Sequence, residues 1–194
     1  NRNRLIALLS TIVLREHPNT TILTDSVTSD GLARFIAELG GRHFRYRRGY
    51  KNVIDKGVQL NLDGEECWLA IETSGHGAMR ENYFLDDGAY LAVKIVIELV
   101  RLRLADPTSS DGISGALAKL DEPKEERELR IKFSDPSNPE FKALAGRVLE
   151  EFKEYAANVD GWSVEPVNYE GYRIRVSGPT QGWLLLRKSL HDPL

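Results

Sequence analysis

The chain has 194 residues, 41% of them hydrophobic and 28% charged, enough to bury a core in one large domain or two small ones. A net charge of −3, from 26 basic and 29 acidic residues, argues against a general nucleic-acid or membrane-surface binder, which needs a basic excess. A single cysteine, Cys67, excludes an internal disulfide and a thiolate metal cluster.

Leu5, Ile6, Leu8, Leu9, Ile12 and Val13 recur at helical spacing and predict a helix over 3–16. Residues 20–24 read as a short buried strand. Asp25 or Ser26 is placed to cap a second helix, which carries Leu32, Phe35, Ile36 and Leu39 and stops at Gly40-Gly41. Residues 42–46 alternate in character as a strand does, 51–60 return to helical spacing, and 67–71 form a third strand. A polar, Gly-rich loop over 72–86 precedes a long apolar helix from 88 to about 104. Alternation of this kind predicts an α/β fold: a three-layer α/β/α domain with a mainly parallel sheet, covered by helices on both faces.

The stretch 106–112 is rich in turn residues and reads as a linker, with a short helix at about 113–120. Beyond it the pattern changes. Strands are expected at 126–133, 163–167, 172–176 and 183–187, and a helix at 139–156, with turns at Glu170-Gly171 and Gly178-Pro179. That is a small α+β domain with an antiparallel sheet. The division expected is 1–106, a linker over 107–122, and 123–194.

No apolar run reaches the roughly 18 residues a bilayer span needs, and no secretory leader pattern occurs. The expectation is a protein that is not secreted. The chain opens without an initiator Met inside a helical pattern, which suggests a piece of a longer protein.

Three segments have the residue types for chemistry. Glu72-Thr-Ser-Gly-His-Gly77 joins a carboxylate, a hydroxyl and an imidazole within five residues, and glycines let the backbone turn sharply. Such groups grip sugar hydroxyls, and the His76 imidazole is a candidate to shuttle a proton. The same composition also suits a tight turn that satisfies its own backbone. Arg187-Lys-Ser-Leu-His-Asp-Pro193 offers a bidentate donor, a point charge and a turn hydroxyl for phosphate, or simply a solvated strand end. Arg42-His-Phe-Arg-Tyr-Arg-Arg48 with Lys51 interleaves cations and aromatics, which fits a phosphate contact, a charge-protected edge strand or single-stranded nucleic acid; the net charge ranks the last lowest. Asp86-Asp-Gly88 reads mainly as a helix cap. No Walker, GxSxG or GxGxxG sequence occurs.

Taken together, in this order and with a domain change between the last two, Gly49-Tyr-Lys51, Glu72-Thr-Ser-Gly-His76 and Arg187-Lys-Ser-Leu-His-Asp-Pro193 resemble motifs of the α-D-phosphohexomutase family. The resemblance covers the family's third and fourth domains, and the wording is most similar to plant and algal plastid-type members, which implies a protein of the cytoplasm or plastid stroma. It implies that Glu72, Ser74, His76 and Lys51 contact the sugar, with His76 a candidate for proton transfer. It implies equally that Arg187, Lys188, Ser189 and His191 hold the phosphate that does not react. The family's reaction uses a phosphoserine, a hexose 1,6-bisphosphate intermediate and activator, and Mg²⁺ on three aspartates.

Neither a serine loop nor a metal loop of that kind occurs in this sequence, so the Mg²⁺ ligands are expected outside it. The partners expected are a hexose phosphate and the missing N-terminal domains of the same protein, with no nucleic acid and no membrane. The function implied is the C-terminal half of a hexose-phosphate mutase that binds without turning over alone. The alternative is a mutase-derived binding or scaffold subunit of a larger complex. Leu190 and His191 stand where the family usually has Gly and Thr. A protonated His191 in that place implies phosphate binding that weakens as pH rises through its pKa, against an affinity that is flat between about pH 5.5 and 8.

Overall fold

The structure, a computed structural model, describes residues 2–108, 110–135 and 139–189. The chain divides into two compact units, Asn1–Glu125 and Glu126–Leu194.

In the first unit the elements run α1 (Arg2–Glu16), β1 (Thr21–Asp25), α2 (Asp30–Glu38), β2 (Arg42–Tyr46), α3 (Tyr50–Leu62), β3 (Cys67–Ile71), β4 (Gly77–Met79), a 3₁₀ turn (Arg80–Asn82), α4 (Gly88–Ala105) and α5 (Gly112–Ala116). The strand order is β2-β1-β3-β4. β1 pairs parallel with β2 and with β3, while β4 returns antiparallel along β3. This is the expected mainly parallel sheet. β4 was not foreseen, because a strand of three residues is too short for readable alternation.

β1 is buried at all five positions, as a central strand with helices on both faces must be. Ile22, Leu69, Ile71 and Met79 face α1 and α2, packing on Ile6, Leu9, Ile12, Leu32, Phe35 and Ile36. Leu23, Cys67 and Ala70 face the other way, against Val53 and Leu60 of α3. Register slips where Thr21 faces Cys67 but Ile22 faces Leu69, so Trp68 is the extra residue of a bulge. Its ring stacks on His17 with centroids 3.5 Å apart.

Ser29, rather than Asp25 or Ser26, caps α2, accepting from the Leu32 amide at 3.0 Å. Asp25 instead ends β1 as a fully buried carboxyl. Within the stretch expected as a linker, a few residues pack on the first unit. α5 lies on α1 and α4, Leu117 and Leu120 join the core, and a Cβ at Gly31 would meet the Asp121 carbonyl at 1.8 Å. α4 is apolar as expected, yet Val93, Val96, Ile97 and Val100 are exposed.

The inner side of α4 buries Glu98, which is 1% exposed between Arg15 and Arg101. The Arg101 guanidinium, which donates to it at 2.7 and 2.9 Å, holds its carboxyl below the usual range despite burial. A depressed folded pKa contributes stability above the unfolded value that is lost as pH falls through the folded one. Glu98→Ala removes the shared hydrogen-bond acceptor of two part-exposed arginines and is expected to cost about 1–2 kcal/mol at pH 7. The cost should shrink below about pH 4, measured by denaturant midpoints across pH.

The second unit holds α6 (Phe141–Ala157) and an antiparallel sheet β5-β6-β7 (Trp162–Val164, Tyr172–Val176, Gly182–Leu186). Among its described residues Ala145, Ala156 and Ile174 are the buried apolar ones, and the Arg173 guanidinium stacks 3.6 Å over the Trp183 ring. The strand expected at 126–133 is absent, and those residues carry no regular structure. Leu129 and Ile131 are 83% and 72% exposed, so the alternation that suggested a strand has no face to cover it. Among the described residues no helix is long and apolar enough to cross a membrane.

Candidate functional site

The carboxyl ends of β1, β2 and β3 lie side by side, because the three strands run parallel. In such sheets ligands bind in the crevice beyond those ends. The chain leaves β2 through Arg47, Arg48 and Gly49 and leaves β3 into the 72–76 loop, so the two loops flank the end of β1.

The 72–76 loop is a closed turn. The Glu72 amide donates to the His76 carbonyl at 2.8 Å, and the Gly75 amide donates to the Glu72 carbonyl at 3.0 Å. The Glu72 side chain is buried, 5% exposed. Its Oε1 accepts from the Gly49 amide at 2.6 Å and its Oε2 from the Ser74 hydroxyl at 2.9 Å. Gly49 has φ +108°, a left-handed conformation that costs glycine little. Glu72 thus ties its own loop to the start of α3, and Ser74, with its hydrogen committed, keeps lone pairs to accept from a ligand hydroxyl.

His76 is half exposed. Its Nδ1 lies 2.7 Å from Asp86 Oδ2, and the Gly77 amide donates to Asp86 Oδ1 at 3.1 Å. A carboxylate only accepts, so Nδ1 carries the hydrogen and Nε2 is left for a ligand or a proton. Tyr50 stacks on the His76 ring with centroids 4.9 Å apart. Asp86 and Asp87 therefore divide their work. Asp87 caps α4, accepting from the Tyr90 amide at 2.9 Å, and that bond holds its carboxyl below the ordinary range. The cap reading of this pair was right for Asp87 and missed Asp86. Lys51 is exposed in the first turn of α3.

The cations of β2 and its exit are largely engaged within the unit. Arg42 donates to Thr21 at 3.2 Å, Arg45 pairs with Asp30 at 3.0 Å, Arg48 lies 3.5 Å from Asp25, and Arg47 covers the Tyr46 ring. β2 is the sheet edge, and charges there suit edge protection. Among the described residues one group has the reach of a metal site, Glu16, His17 and Glu81. Lys94 already bonds both carboxylates, at 2.6 and 3.0 Å, so an ammonium compensates their charge and the group does not suit Mg²⁺.

In the second unit Arg187 follows β7. Its guanidinium lies 3.9 Å from Glu170 and donates to the Lys188 carbonyl at 3.0 Å. Lys188 reaches back to the Lys142 carbonyl on α6 at 3.2 Å. Ser189 follows directly, whereas Leu190 and His191 lie outside the described residues.

Residues 1–119 match the family description "Phosphoglucomutase/phosphomannomutase, alpha/beta/alpha domain III". The chain belongs to the phosphoglucomutase/phosphomannomutase family. A phosphomannomutase/phosphoglucomutase of Pseudomonas syringae pv. tomato is 30% identical over 95 residues, which are 48% of this chain and 19% of that protein. The crystal structure of a phosphoglucomutase/phosphomannomutase family protein from Burkholderia thailandensis superposes with a TM-score of 0.69 at 26% identity, over 99% of this chain and 35% of that one. The chain thus spans a fifth to a third of the length of these phosphoglucomutase/phosphomannomutase relatives.

Proposed function

We propose that this chain is the substrate-holding part of a hexose-phosphate mutase. The observation that carries the reading is the 72–76 loop at the carboxyl end of β3. There Ser74 and His76 are presented outward, while Glu72 and Asp86 fix them from behind. Ser74 accepts from a sugar hydroxyl, Nε2 of His76 accepts or relays a proton, and Lys51 adds a positive charge beside the stacked Tyr50. Arg187, Lys188, Ser189 and His191 hold the phosphate that stays in place. Glu170, 3.9 Å from Arg187, competes with phosphate for its guanidinium.

Phosphoryl transfer depends on positioning and charge stabilisation. In this reading the phosphoserine and Mg²⁺ are supplied by residues outside this chain. This chain alone binds glucose 1,6-bisphosphate and does not turn over glucose 1-phosphate. A full-length parent with an intact serine loop and no mutase activity would sink the reading.

Asp86→Asn tests the orientation of His76. The Asn amide has only one acceptor oxygen. If that oxygen faces the Gly77 amide, its NH₂ faces Nδ1 and moves the imidazole hydrogen to Nε2. Turnover by the full-length protein is expected to fall about 10- to 100-fold with KM little changed. Nitrogen chemical shifts of His76 in this chain should report the exchanged tautomer.

A further inference from the structure

The carboxyl of Asp25 belongs to neither set of ligand-facing groups, yet it sits between them. It ends the central strand β1 and is fully buried. On one side the Thr73 hydroxyl donates to Oδ2 at 2.6 Å, from the loop after β3. On the other side Arg48, at the exit of β2, brings its guanidinium to 3.5 Å of the same oxygen. Oδ1 is buried with no hydrogen-bond partner. Glu72 is the other charged group facing it, and it repels. A carboxyl with one oxygen unpartnered, beside a like charge and inside a core, is a costly choice for stability alone.

We propose that Asp25 is a positioning residue that brackets the two loops of the sugar site, holding the Arg48–Gly49 turn with one arm and the Thr73 end of the 72–76 loop with the other. The proposal extends the sugar-holding reading above, but its first test does not need a ligand. Burial, the largest cause, pushes the Asp25 carboxyl up to about 6; the Glu72 charge adds to it, while Thr73 and Arg48 oppose it. The bracket is therefore charged at pH 7.5 and neutral at pH 5. A raised folded pKa contributes stability below the unfolded value that is lost as pH rises through about 6. The charged bracket works at the expense of the fold, and its removal should stabilise the protein while loosening the loops.

Amide hydrogen exchange on the 194-residue chain and its Asp25→Asn variant separates these effects. At pH 7.5 the Asn variant is expected to lose about tenfold of its protection at Gly49 and Gly75, keep it at Leu23 and Leu69, and melt higher than wild type. At pH 5 the two proteins should converge, because Asn mimics the protonated acid. Equal protection of both loops at pH 7.5 would overturn the bracket, and so would a lower melting temperature with sheet and loops loosened together. Should the Asn variant fail to fold, Thr73→Val cuts one arm and leaves the Arg48 arm in place; loosening of 72–76 with Gly49 spared is then expected, and unchanged protection at Gly75 overturns the proposal. Titration of glucose 1,6-bisphosphate into both proteins is then read separately. Weaker binding by the Asn variant at pH 7.5 supports the bracket's place in the sugar site. Absence of binding by wild type counts against the sugar-holding reading and leaves the exchange result to decide the bracket.

Discussion

Glu72→Ala is expected to weaken binding of glucose 1,6-bisphosphate about 100-fold while changing the melting temperature little. Two charge-assisted hydrogen bonds end on this carboxylate, from the Gly49 amide at 2.6 Å and the Ser74 hydroxyl at 2.9 Å. Each is worth about 1.5–3 kcal/mol, and together they set the separation of the two loops that face the ligand. Losing about 3 kcal/mol of preorganisation corresponds to about two decades in affinity. The fold itself loses less, because Glu72 also repels the buried Asp25 carboxyl, and alanine removes that repulsion. Glu72→Gln should fall between wild type and alanine. Its amide accepts through one oxygen only, and its NH₂ must face either the Gly49 amide or the Ser74 hydroxyl, which can rotate to accept it. Calorimetric titration of the three proteins checks the order. An alanine variant within threefold of wild type removes Glu72 from the ligand site.

Gly171→Ala should be the most damaging single methyl group in the second unit. Gly171 has φ +59°, and a Cβ there would lie 1.9 Å from the Leu186 carbonyl oxygen and 2.7 Å from the Arg187 Cα. Left-handed backbone costs alanine about 1 kcal/mol. The overlap is with backbone, which no side-chain rotation relieves, so the turn must move away from β7. A total near 3–4 kcal/mol is expected, read as lost exchange protection of Ile174 and Leu184 across the β6–β7 pair. The displaced strand exit also carries Arg187, so phosphate affinity should fall in the same variant. Intact protection with unchanged affinity would show that the turn has slack that this geometry denies.

The elements that sequence periodicity identified are those whose apolar residues meet a partner surface. β1 and β3 read correctly because both faces of the sheet are covered, which leaves runs such as Ile22–Leu23 and Leu69–Ala70–Ile71 with no polar face. The stretch 126–133 fails for the converse reason. Leu129 and Ile131 alternate with charges as an edge strand would, but pairing depends on a neighbour, and sequence pattern does not show whether one is present.

The site divides in the same way. The 72–76 loop was legible because its polar residues and glycines are contiguous and follow a strand. Asp86 was hidden behind Asp87, since a doublet before a helix satisfies the cap rule whichever residue does the capping. Asp25 was read as a possible cap, and its contacts with Thr73 and Arg48 depend on three strands arriving side by side. Local spacing carries no trace of a bond across 48 residues.

Cys67 has a practical consequence. It is fully buried on the α3 side of the sheet, and burial pushes its thiol up to about 12. Alkylation and disulfide exchange proceed through the thiolate, which at neutral pH is nearly absent and sealed from solvent here. The natural chain is therefore its own background for site-directed labelling. A cysteine introduced at exposed Tyr50 or Ser74 would be the reactive one. Paired spin labels at these two positions would turn the gap between the loops into a distance distribution, recorded with the native thiol left in place.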